Sequence, residues 1–170
     1  MTDTTTPPAI RLNLPAVNVH TVALILLSGA VGTMAVDIFG RALSPMLGFA
    51  SLAPVGLARG FLGTLGLPNG APQGHLMHLL LVGMIAYPVG WLYVARPVIS
   101  RIMPSLPWVL GSALYGIGLW VFAIGGIATF AGNPPFLNFT GITWVALVGH
   151  MLYAVAAAGT VVYLERLRAN

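Results

Sequence analysis

Apolar residues run through this chain in long blocks, with the charged residues standing almost only between them. Uncharged stretches cover residues 12–36, 60–95 and 102–164. About 20 apolar residues in a helix cross a hydrocarbon core of about 30 Å, so each stretch is a candidate membrane segment. The first holds one span, 20–39. In the second, Leu67-Pro68-Asn69-Gly70-Ala71-Pro72-Gln73-Gly74 reads as a break and leaves one span, 75–95. The third is too long for one helix and breaks at 131–138, where Pro134 and Pro135 stand together. Spans over 106–130 and 141–163 follow. The predicted fold is an all-α membrane protein with four transmembrane helices. It forms one domain over 19–165, between an N-terminal tail (1–18) and a C-terminal end (166–170).

The connection between the first two spans is too apolar for an ordinary loop. It carries Met46, Phe49, Leu52, Leu57, Phe61 and Leu65 among many Gly and Pro, with Arg59 its only charge between Leu52 and Leu65. Ser44 before Pro45 reads as an N-cap followed by proline at the first helical position. The segment 44–66 is therefore expected as an interfacial helix or a re-entrant hairpin, the helix being favoured because its glycines make it a poor structure on its own.

Composition narrows the class. Of 170 residues, 58% are hydrophobic and 6% charged, and mean hydropathy is +0.92. Soluble domains carry about 25% charged residues, so a soluble enzyme or nucleic-acid-binding module is excluded. The basic balance comes from seven scattered Arg and is no nucleic-acid signal. With no Cys there is no disulfide, thiolate metal site or cysteine nucleophile.

Arg11, Arg96, Arg101, Arg166 and Arg168 fall on one side of the predicted spans, and only Arg41 and Arg59 on the other. The positive-inside rule puts both termini in the cytoplasm, and a composition rich in Arg, Ala, Gly and Pro without Lys suggests a bacterial inner membrane. Trp91, Tyr93, Trp108 and Tyr163 then mark the inner interface and Trp144 the outer, with Trp120 a packing residue. The first span is read as retained, because its apolar core is longer than that of a signal peptide and no small-x-small site follows it. Asn138-Phe139-Thr140 matches a glycosylation acceptor, a pattern common by chance.

Small residues four apart recur on every span: Ser28 and Gly32, Ala86 and Gly90, Ser112 and Gly116, Ala154 and Ala158. Such pairs let helices approach closely, either within the bundle or against another subunit or copy. Pro88 should kink the second span and free a carbonyl near Met84.

Ionisable residues at membrane depth are costly unless paired or functional. Asp37, His75, His78 and His150 form a candidate polar cluster in the outer half. Asp37, His75 and His78 could ligate a metal, with Met34, Met77 and Met151 nearby in sequence. A haem needs facing ligands at matching depth, whereas His78 and His150 differ by roughly 8 Å in the predicted spans. Proton or quinone handling by a His and Asp pair is another reading. The structural alternative pairs Asp37 with Arg41, four residues on, or with Arg59, while the histidines hydrogen-bond between helices. No nucleophile–base pair, phosphate loop or catalytic carboxylate pair is visible, so no enzyme is expected.

The stretch Ser28-Gly29-Ala30-Val31-Gly32-Thr33-Met34-Ala35-Val36-Asp37, with Gly74-His75-Leu76-Met77-His78 and Gly149-His150, resembles small four-helix bacterial membrane proteins of unknown function. The resemblance implies the fold and no activity. The expected function is a non-catalytic accessory or assembly subunit of a larger inner-membrane complex, respiratory or photosynthetic, packed among lipids. The alternative is a binding or transport protein using the outer-side Asp and His cluster for a metal ion, proton or quinone. A channel would require the chain to oligomerise.

Overall fold

The computed structural model describes residues 14–170; Arg11 and most of the predicted N-terminal tail lie outside them. Every regular element among these residues is helical. Four helices are long and apolar enough to cross a membrane: α1 (Val19–Met46), α3 (Ala71–Ile102), α4 (Trp108–Phe130) and α5 (Gly141–Ala169). A shorter helix, α2 (Pro54–Thr64), joins the first two. The break after Phe130 and the restart at Gly141 fall where the paired prolines placed them.

Of the other boundaries, the start of α4 moves inward from 106 to Trp108 and the rest move outward. Asn18 caps α1, accepting from the Thr21 backbone N–H at 3.0 Å. Pro72 sits in the first turn of α3, where its missing N–H is no loss, so that helix starts at Ala71 rather than 75. Ser44 is not an N-cap. It lies in the last turn of α1, and its buried hydroxyl donates to the Ala50 carbonyl at 2.7 Å.

Both α1 and α3 run through prolines by widening. π-type turns occupy Phe39–Leu43 before Pro45, Leu76–Ala86 before Pro88 and Trp91–Ala95 before Pro97. Proline clashes with the carbonyl four residues back, and a wider turn gives that ring room. The hydrogen bonds then run five residues back: Ser44 N–H donates to Phe39, and Tyr87 N–H to Val82. The carbonyls that lose a donor are therefore those of Gly40 and Gly83, not Met84. Leu52 N–H donates to Gly40 at 2.8 Å, which folds the connection back onto α1. The hydroxyl of Tyr153 on α5 donates to Gly83 at 2.5 Å. Tyr153 is 3% exposed. Tyr153→Phe should therefore cost about 1–3 kcal/mol in thermal unfolding, the usual cost of an orphaned buried acceptor; an unchanged midpoint would mean that carbonyl finds another donor.

α5 is the most buried of the long helices and packs against both α1 and α4, while α3 packs along α1, reaches α5 through Trp91 and Leu92, and meets α4 at one end. Glycines permit the closest approaches. A Cβ on Gly29 would lie 2.5 Å from the Met84 Cα, and one on Gly116 would lie 2.6 Å from the Met151 Cα. Gly32 abuts Tyr153, and Gly90 abuts the Tyr115 hydroxyl. Ser28, Ser112, Ala154 and Ala158 are buried, leaving Ala86 as the exposed member of the small pairs. These stripes serve contacts within the bundle. Trp91 is 5% exposed and packs on Tyr115, so it is a core residue rather than an interface marker. At the end holding the chain terminus, Arg96 forms a two-pronged ion pair with Glu165 at 2.7 and 3.0 Å.

The opposite end is closed by two caps. α2 lies across α3 and α4: Phe61 packs on Phe130 with centroids 5.7 Å apart, Gly60 meets Ala131, and Gly74 meets Val55 and Arg59. After Pro134, residues Phe136 to Phe139 all have positive φ, between 48° and 56°. A left-handed turn of non-glycine residues costs roughly 1–2 kcal/mol per residue. Its aromatic stack offsets that cost: Phe136 lies 4.9 Å from Trp120 and 5.2 Å from Phe139. Thr143 Oγ1 also donates to the Phe136 carbonyl at 2.7 Å.

Candidate functional site

α3 and α4 meet near the terminal end and diverge toward the capped end. The space between them is a cavity of about 530 Å³. Its walls come from all four long helices, and α2 roofs it with Leu57 and Phe61. Small-molecule sites run about 300–1,000 Å³, mostly apolar with a few placed polar groups. This cavity fits that description. Ala86 of α3 and Phe122 of α4 line it and are both exposed, so they mark a side opening between the two helices.

Two histidines reach the cavity, one from each side. His78 on α3 places Nε2 3.1 Å from Asp37 Oδ1 on α1. A carboxylate only accepts, so Nε2 carries a proton and donates; in the neutral imidazole Nδ1 is then the acceptor. The pair is largely sheltered, with side chains 13% and 21% exposed. His150 on α5 places Nδ1 2.7 Å from the Ala146 carbonyl, one turn back. Nδ1 is again the donor, and Nε2 is left as a free acceptor.

Because α3 begins at Ala71, His78 stands seven residues into its helix and His150 nine into its own. At about 1.5 Å per residue the depth difference falls to about 3 Å, in place of the 8 Å expected from the shorter span. Tyr87 extends the polar edge, its ring 6.2 Å from His150 and 5.4 Å from Tyr153. Thr33 faces the same wall. Its Oγ1 is the one buried side-chain polar atom among the described residues without a hydrogen-bond partner.

Several candidate groupings are not assembled. His75 is exposed and turns back to donate Nδ1–H to the Ala71 carbonyl at 2.8 Å. It does not join Asp37 and His78 in a three-ligand set. Among the described residues, no group of three or more His, Asp or Glu could hold a metal ion. Asp37 pairs with neither predicted arginine. Arg41 is exposed beyond the start of the wide turn at Phe39, and Arg59 Nε donates to the Asn69 carbonyl at 2.8 Å.

No known protein family matches this sequence, and no curated protein or solved structure is similar to it.

The sequence does not mark Tyr87 or Tyr153, and it marks Leu57 and Phe61 only as part of an unusually apolar connection, not as lining a site. Tyr153 did carry a signal: a tyrosine in an apolar helix needs an acceptor, and Pro88 frees one.

Proposed function

We propose that this chain is a membrane-embedded binding protein whose cavity takes a small lipid-soluble molecule, with Asp37, His78 and His150 as its polar end. The observation that carries this reading is the side-opening apolar cavity with two oriented imidazoles at similar depth. Four apolar helices suit a bilayer, and a gap between α3 and α4 would face lipid tails. A guest dissolved in the membrane could reach the histidines without crossing water. Arginine placement supports cytoplasmic termini and a cavity in the outer half, and the Arg-rich, Lys-free composition suits a bacterial inner membrane.

Filling the cavity tests this. Ala123 lines it and is 7% exposed. Protein purified in mild detergent should yield one dominant lipid-soluble compound on organic extraction, and Ala123→Phe protein of equal thermal stability should yield little. The same extract from both proteins would sink the proposal.

An accessory subunit of a larger inner-membrane complex is the second reading. Its support is the outward row Leu27, Val31, Met34 and Ile38 on α1, exposed and apolar, which a neighbouring subunit or lipid could cover equally.

A further inference from the structure

Resting on the binding reading, hydrogen-bond accounting in the cavity narrows the guest. We propose that it is a membrane-soluble hydroquinone, held through its two hydroxyl groups in preference to the oxidised quinone. His150 commits Nδ1–H to the Ala146 carbonyl, and His78 commits Nε2–H to Asp37. Each ring therefore has one nitrogen left, and in the neutral imidazole that nitrogen can only accept.

Of the neighbouring hydroxyls, Thr33 Oγ1 is unpartnered and can donate or accept, while the tyrosines other than Tyr87 are already used. Tyr153 donates to Gly83, and Tyr115 donates to the Tyr87 carbonyl at 2.6 Å. The Tyr87 hydroxyl can donate or accept and so discriminates little. The polar end thus presents two acceptors from opposite helices, α3 and α5. A rigid ring with a hydroxyl on each side supplies the two donors they lack. A quinone carbonyl brings only lone pairs and would leave both nitrogens unpartnered.

The rest of the cavity suits such a molecule. Tyr87, Tyr153, Phe61 and Phe122 line it with aromatic surface for a ring. The opening beside Ala86 and Phe122 gives an alkyl tail a way out toward lipid. Asp37 acts here as a positioning residue, because its carboxylate fixes which nitrogen of His78 faces the guest.

Three ligands with the same short alkyl tail test this on the full chain in mild detergent under anoxic conditions: the hydroquinone, its quinone and its dimethyl ether. Calorimetric titration should show the hydroquinone binding at least about tenfold more tightly than either of the others, as expected for a site built around hydroxyl donors. His150→Phe should lower hydroquinone affinity to the level of the ether. Equal affinity for all three, or tighter quinone binding, overturns the hydroquinone assignment and leaves the binding reading standing. No binding of any of the three overturns both. The comparison among ligands needs only the native protein, so a poorly folding variant does not blunt it.

Discussion

Gly116→Leu is expected to lower the thermal unfolding midpoint more than any other exchange along α4. The new Cβ would stand 2.6 Å from the Met151 Cα and 2.7 Å from the His150 carbonyl oxygen. Both are backbone atoms of α5 and cannot rotate aside. The helices would have to separate, and dispersion contacts weaken steeply with even a small gap. Overpacking a tight core costs about 1–3 kcal/mol, and an unyielding backbone neighbour puts this site at or above the top of that range. Gly118 on the same helix is the control. Nothing lies within 4 Å of a Cβ there and the position is exposed, so Gly118→Leu should stay within about 0.5 kcal/mol of the parent. Unfolding in detergent followed by circular dichroism reads both. Equal midpoints for the two variants would mean that α4 and α5 do not pack as described.

The second large effect concerns the pair joining α1 to α3. His78→Leu leaves the Asp37 carboxylate sheltered among apolar helices with no donor. Removing one partner of a buried pair typically costs about 3–5 kcal/mol, while replacing both by apolar residues is often neutral or favourable. The double variant Asp37→Leu/His78→Leu should therefore be more stable than His78→Leu alone, an inversion that independent contributions cannot produce. Asp37→Leu alone should fall between them, because it strands one imidazole N–H rather than a charge. If the double variant were the least stable of the three, Asp37 would be drawing its solvation from somewhere other than His78.

Much of the scaffold was legible because it depends on local signals. Long apolar runs gave the four helices, and Pro134-Pro135 gave the sharp break before Gly141. The same local reasoning misread prolines that a helix absorbs. Pro45 and Pro72 looked like boundaries, yet α1 widens to pass Pro45, and Pro72 sits in a first turn where it is tolerated. Those small shifts had consequences at the site. Starting α3 four residues earlier brings His78 and His150 to nearly equal depth, which the predicted spans denied.

Asp37 shows the limit in another form. The four-residue spacing to Arg41 is the usual mark of a helical ion pair, whereas the partner found is His78, 41 residues away. Nothing local encodes that meeting. It follows from Gly29 letting α3 come against α1. The cavity was equally hidden, because it arises where α3 and α4 part and α2 folds across the gap. Its roof is α2, part of the apolar segment 44–66 that the sequence reads as an interfacial helix or re-entrant hairpin.

Whether the cavity holds a guest is the central question, and native mass spectrometry of the chain released gently from its own membrane answers it most directly. The account predicts one copy of the chain carrying one small lipid-soluble molecule that dissociates intact on activation, and loss of that adduct in the Ala123→Phe chain. A bare chain at every activation energy, or a stoichiometric assembly with larger subunits and no small molecule, would contradict it.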